Sequence, residues 1–285
     1  MNRPFASLSR RRSVRVTLVA GVAAVAALSL ALAGAAVSHK AVPPPPANPT
    51  SADQIQNIDQ VKTAIKAYYG DTTTAEIDPV PNNIDGGDKT LHEFSPTSAY
   101  ANEMGGIVDD AEKYLGKPKA DNVPPGTTKA VLFDVDDTTL NTYSYEIYSN
   151  FVYNPTTNGY FVDAAVFPAV PHMVGLEHYA EAQGYTVFFL TGRPVAQHDG
   201  TLTNLTDEGY DVVDANLYLR NRTAPPAYLP CEPTCTTIQY KSLTRQHIES
   251  LGYHIVANFG DQFSDLTGGF ADQTFKLPNP MYYLP

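Results

Sequence analysis

Ala130-Val131-Leu132-Phe133-Asp134-Val135-Asp136-Asp137-Thr138 decides the fold. Four apolar residues run on without a polar break and then stop at a cluster of acids. A strand with one wet face would alternate, so an unbroken apolar run marks a strand covered on both faces, as in a parallel sheet. Working outwards, the spacing predicts a helix over 171–183 and a second buried strand over 185–190. A helix over 195–208 leads to a third strand at 217–219, and a helix over 240–251 precedes a fourth strand over 253–259. Strands alternating with helices give an α/β fold, a central parallel sheet with helices on both faces. Upstream, Ile55, Ile58, Val61, Ile65 and Tyr69 recur at helical spacing, with Asp53 as the expected cap. Residues 70–96, rich in Gly, Pro, Asn and Asp, read as irregular, and a second helix is expected over 97–115. Its Asp109, Asp110 and Glu112 form a solvated face.

Open parallel sheets bind ligands beyond the carboxyl ends of their strands. Four clusters fall there. The first strand ends in Asp134-Val135-Asp136-Asp137-Thr138 and the second in Thr191-Gly192-Arg193. Lys241 opens the helix after the third, and the last strand ends in Gly260-Asp261-Gln262-Phe263-Ser264-Asp265. Taken singly, each has an ordinary explanation as a helix cap or a turn. Taken together, in this order and all at one rim, they describe a site.

Phe133-Asp134-Val135-Asp136-Asp137-Thr138, Leu190-Thr191-Gly192-Arg193, Tyr240-Lys241-Ser242 and Gly260-Asp261-Gln262-Phe263-Ser264-Asp265-Leu266 resemble the four motifs of haloacid-dehalogenase (HAD) superfamily phosphatases. The match is to the class B acid phosphatase branch, with its plant acid phosphatases and vegetative storage proteins, and it covers roughly residues 97–278. The resemblance implies a Rossmann-like HAD fold with little or only a small helical cap and hydrolysis of small-molecule phosphomonoesters. Asp134 would attack phosphorus and form an aspartyl-phosphate. Asp136 would protonate the leaving oxygen and then activate water, so the two carboxylates need opposite protonation states. Mg²⁺ is implied as cofactor, a hard cation suited to oxygen ligands, held by the Asp134 carboxylate, the Asp136 carbonyl and Asp261, with Asp265 nearby. Lys241, the Thr191 hydroxyl and the Gly192 amide would bind the phosphoryl oxygens. Arg193 has two open roles, contacting substrate phosphate or pairing with an acid. Asp137 would orient the loop. Tyr143, Tyr145, Tyr148, Tyr153 and Tyr160 either line a substrate mouth or pack in the core.

Composition narrows the alternatives. The 285 residues carry 19 Lys and Arg against 30 Asp and Glu, a net charge of −11 that disfavours nucleic acid as a partner. Arg3, Arg10, Arg11, Arg12 and Arg15 precede an apolar run over 16–37 and the small-residue exit Ala33-Gly34-Ala35. Residues 1–38 therefore read as a secretory signal peptide or an uncleaved anchor, which would be the one contact with a membrane. Loss of these five arginines leaves −16, a surface that repels anionic substrates at long range, so the site must supply its own positive charges. Residues 39–50 hold Pro43-Pro44-Pro45-Pro46 and read as a stiff linker; 51–285 form the phosphatase domain with an N-terminal helical extension. Cys231 and Cys235 fit a disulfide staple in an exported protein, with metal binding and redox activity as less fitting uses. A noncatalytic phosphate-binding or storage protein on the same scaffold is the alternative function. A signalling receiver would place its metal acids before the phosphorylated Asp, and a dehalogenase would need neither Asp136 nor the later acids.

Overall fold

A computed structural model gives the fold of residues 48–117 and 123–284. The leader at 1–38 and most of the linker at 39–50 lie outside the described residues. Helix α1 (Ile58–Tyr69) starts at Asn57, whose side chain accepts the amide of Asp59; Asp53 lies in a separate short turn and caps nothing in this helix. The helix stops at Gly70, with φ of 65°, and a Cβ there would lie 2.9 Å from that of Ser95. The stretch expected to be irregular instead forms an antiparallel pair, β1 (Thr72–Ile77) and β2 (Thr90–Glu93), with the one-turn helix α2 (Asn82–Asp85) between them. Five of the six β1 residues are exposed, so the run has no apolar alternation to reveal it; its threonines carry the strand preference. Helix α3 (Ala99–Leu115) is capped by Ser98 and buries Tyr100, Met104, Val108 and Leu115, while Asp109 and Asp110 are exposed as expected.

The central strand β3 (Thr128–Phe133) is followed by two short helices, α4 (Tyr143–Tyr148) and α5 (Pro155–Asp163), and then by α6 (Met173–Ala182). Strand β4 (Thr186–Pro194) runs through the Thr-Gly-Arg motif rather than stopping before it. After it come α7 (His198–Asp207), β5 (Leu217–Arg220), α8 (Thr237–Ser250), β6 (Tyr253–Gly260), the one-turn α9 (Phe263–Leu266) and β7 (Gln273–Lys276). Five strands pair in parallel in the order β5-β4-β3-β6-β7. One face buries Val131, Phe133, Val187, Phe189 and Phe259 against α3, α6 and their neighbours; the other buries Leu132, Phe188, Leu190 and Ile255 beneath α8. Phe133, Phe259 and Phe275 stack across three adjacent strands at centroid distances of 4.7 and 4.8 Å. Among the described residues no helix is long and apolar enough to cross a membrane.

Helix α8 begins three residues earlier than the sequence reading has it, because Thr236 and Gln239 form a reciprocal capping box. Lys241 thus sits in the second turn, clear of the unfavourable end of the helix dipole. One turn on, Arg245 is fully buried and donates to the carbonyls of Asp265, Gly269 (2.8 Å) and Thr267 (2.6 Å), so it fixes the whole loop after β6. Replacing it by Met keeps the aliphatic stem and orphans three carbonyls, at a cost of about 3 kcal/mol. We expect Arg245→Met to lower Tm by roughly 6–12 °C in a calorimetric scan; a shift below ~2 °C would show that the loop does not depend on this guanidinium.

Candidate active site

The strand order brings the tips of β4, β3 and β6 side by side, and the predicted motifs meet there. Asp134 follows the last residue of β3 and is buried, its amide donating to the Phe259 carbonyl on β6 at 3.0 Å. Lys241 reaches it from α8: the ammonium donates to Asp134 Oδ1 and, at 2.6 Å, to the Leu190 carbonyl of β4, and lies 3.1 Å from Asp265 Oδ1. Asp261 follows β6. Its Oδ2 accepts from Gln262 Nε2 at 2.6 Å and Asn279 Nδ2 at 2.7 Å, and its Oδ1 accepts from Thr138 Oγ1 at 3.4 Å. Asp265 Oδ2 accepts the Gln262 amide at 2.9 Å. Asp134, Asp261 and Asp265, all buried, each offer an oxygen within 4.8 Å of the others.

Burial pushes the Asp134 carboxyl above the ordinary carboxylate range; Asp265 adds to this, and Lys241 does not fully offset the two. Burial, then Asp265 and Asp137, push Asp261 up to about 8. Burial works against the Lys241 ammonium, but Asp134 and Asp265 outweigh it and hold its pKa above the usual lysine value. Two of the three enclosed carboxylates, Asp134 and Asp265, share one ammonium. That donor set, all oxygen and in charge excess, fits a hard divalent cation.

Arg193 is paired with an acid. Its guanidinium grips Asp136, with Nη2 at 2.7 Å from Oδ1 and Nε at 3.1 and 3.2 Å from the two oxygens, while Nη1 donates to Thr201 at 3.0 Å. Asp136 is the most open of the site acids, with 30% of its side chain exposed. The Thr191 hydroxyl accepts the Arg193 amide at 3.1 Å and faces Asp136 at 3.4 Å, so it is already engaged within its own turn. Gly192 is exposed, with open space where a side chain would stand. Asp137 takes φ of 55° and accepts from Thr142 N at 3.0 Å, Thr142 Oγ1 and, at 2.8 Å, the Tyr282 hydroxyl. Cys231 and Cys235 are joined in a disulfide.

Lys241 is paired with Asp134 and Asp265 and Arg193 with Asp136, while Lys276 lies in the field of Asp261 and Asp265. The tyrosines divide. Tyr143 and Tyr145 are buried, Tyr148 and Tyr160 half-buried, and Tyr153 stands 67% exposed. Sequence reasoning missed Asn279, Tyr282 and Glu146, the last buried in α4 and pushed up to about 7 by burial and by Asp136. None of the three lies in a motif, and only the chain's return over the site reveals the first two.

A family profile described as HAD superfamily, subfamily IIIB (acid phosphatase) matches residues 52–285. Acid phosphatase 1 of Solanum lycopersicum is 31% identical over 198 residues, 68% of this chain and 73% of the tomato protein. The stem 28 kDa glycoprotein of Glycine max is 32% identical over 158 residues, 54% of this chain, so the match spans 59% of the soybean protein's length. Vegetative storage protein 2 of Arabidopsis thaliana is 29% identical over 163 residues, 56% of this chain and 58% of that protein. Among solved structures, the class C acid phosphatase from Bacillus anthracis superposes with a TM-score of 0.54 at 19% identity, covering 66% of this chain and 80% of that one, a likeness of fold alone. With the profile running through the strands, the acid cluster and the returning tail, this chain belongs to subfamily IIIB of the HAD superfamily, the acid phosphatases.

Proposed function

We propose that this chain is an exported, Mg²⁺-dependent acid phosphatase that hydrolyses small phosphomonoesters through an aspartyl-phosphate on Asp134. The observation that carries the reading is the buried Lys241–Asp134 pair at the tip of the central strand, with Asp261 and Asp265 beside it. Lys241 occupies Oδ1 of Asp134, which leaves Oδ2 as the attacking oxygen. As Oδ2 bonds to phosphorus, the ester P–O bond breaks and its electron pair leaves with the alkoxide, which takes a proton from Asp136. In the second half Asp136 recovers a proton from water, the water oxygen bonds to phosphorus, and the acyl-phosphate bond breaks to return the Asp134 carboxylate. Arg193 holds Asp136 at the mouth of the cavity, where leaving group and water must come and go. The open Gly192 amide and the Lys241 ammonium offer donors to the phosphoryl oxygens. Mg²⁺, held by Asp134, the Asp136 carbonyl and Asp261 with Asp265 nearby, would supply charge neutralisation between an anionic nucleophile and an anionic ester. The leader composition at 1–38 and the Cys231–Cys235 disulfide support export. A storage role on the same scaffold would tolerate loss of the nucleophile, and Asp134 is present here with its lysine partner.

Two tests follow from the chemistry. Asp134→Asn should cut hydrolysis of a chromogenic aryl phosphate by on the order of a thousandfold or more, with the circular-dichroism spectrum unchanged. Chelation of the wild-type enzyme should abolish the same activity and added Mg²⁺ restore it; normal turnover in either experiment refutes the assignment.

Gly260 gives a third, independent test. A Cβ there would stand 2.5 Å from the Asp265 Cβ and 3.0 Å from its Oδ2, so Ala must push this carboxylate off both Lys241 and the Gln262 amide. Gly260→Ala is expected to lower kcat by about 10–100-fold and raise the Mg²⁺ concentration for half-maximal activity. Unaltered Mg²⁺ dependence would remove Asp265 from the cation's surroundings.

A further inference from the structure

After β7 the chain turns back across the acid cluster, and its contacts there are directional. Asn279 donates from Nδ2 to Asp261 Oδ2 at 2.7 Å, while its Oδ1 accepts the Met281 amide at 2.8 Å. Gln262 donates from Nε2 to the same Asp261 oxygen at 2.6 Å, while its Oε1 accepts the Leu284 amide at 2.9 Å. Each side-chain amide is therefore oriented by a backbone N–H of the tail. Turned the other way, either one would aim a carbonyl oxygen at a carboxylate and lose its backbone partner as well. Both donors fall on Oδ2, which leaves Oδ1 facing the motif-one loop at Thr138. The same tail sends the Tyr282 hydroxyl to Asp137 Oδ2 at 2.8 Å, and the Leu284 carbonyl accepts from Ser264 Oγ at 3.3 Å. Asp137 is the residue whose positive φ sets the course of the loop after the nucleophile.

We propose that residues 279–284 are a positioning strap: they fix the rotation of the Asp261 carboxylate and tie it to the Asp137 loop, so that divalent-cation affinity depends on Asn279 and Tyr282. The inference rests on the reading of Asp261 as a cation ligand. It adds residues that lie outside all four motifs and touch neither phosphorus nor leaving group. Partners that orient a ligating carboxylate contribute 10–100-fold to metal affinity, and here one carboxylate oxygen has two such partners, both set by the tail.

The test is calorimetric titration of Mg²⁺ alone into metal-free full-length protein at fixed pH, with Tm and near-ultraviolet circular dichroism recorded on the same samples. Asn279→Ala should weaken Mg²⁺ binding by about tenfold, and Tyr282→Phe should shift it in the same direction. In turnover assays both should raise the Mg²⁺ requirement more than they change kcat at saturating Mg²⁺, a split that general destabilisation would not produce. If Asn279→Ala does not fold, Gln262→Met removes the other donor and puts the same question. Wild-type binding with unchanged affinity in the folded variants overturns the strap alone. Wild-type protein that binds no Mg²⁺, or turns over fully after exhaustive chelation, overturns the metal reading and the strap with it.

Discussion

The ammonium of Lys241 is enclosed with the carboxylates of Asp134 and Asp265, and Asp261 completes the group. Taking such charges out of water is expensive unless each has a partner of opposite sign and good geometry. Lys241 satisfies this condition for itself, with two carboxylates and the Leu190 carbonyl around it. Asp134 and Asp261 are not satisfied in the same way, and their raised pKa values express the imbalance. Nearly every other feature of the rim serves to hold these groups in place: the Thr236 cap that sets the start of α8, the Arg245 fork on the loop after β6, and the bare Cα of Gly260 against which Asp265 packs.

Sheet topology makes the grouping possible. Neighbouring parallel strands lie about 4.8 Å apart, so three adjacent tips deliver their following residues into a single small volume. β3 stands between β4 and β6, and its tip therefore carries the residue that must reach everything else. α8 follows β5 at the sheet edge and crosses the face lined by Leu132, Phe188 and Leu190, which brings Lys241 over the central strand from a segment distant in sequence. The aromatic stack of Phe133, Phe259 and Phe275 fixes the register of the three strands on the opposite face.

Much of this was legible in the sequence. Apolar runs buried on both faces announce themselves without alternation, and each ended in residues whose polarity made no sense inside a core, so the parallel sheet and the acidic rim could be read together. The β1–β2 pair was not legible, because a strand exposed on nearly all its residues has no apolar period to detect. The start of α8 is set by the Thr236–Gln239 capping box, upstream of Tyr240 where the sequence reading begins the helix. Tyr282 and Asn279 escaped for a deeper reason. A hydrogen bond from residue 279 to residue 261, or from 282 to 137, depends on where the chain returns in space, and local composition does not encode that.

Charge pairing also bears on how an anionic substrate can enter at all. The chain carries −11, and at the rim Lys241 and Arg193 are already matched to acids, while Lys276 lies in the field of Asp261 and Asp265. A phosphate monoester approaching this cavity meets four acids against three bases, an excess of negative charge when all are ionised that the open Gly192 amide cannot overcome alone. A divalent cation among the acids would offset that excess. Under the proposed function, binding of the anion and occupancy of the acid cluster by a divalent cation would be linked events, each favoured by the other, as reciprocal coupling requires. Substrate affinity would then be a property of the cation-loaded protein, and a strap that orients Asp261 would act on both.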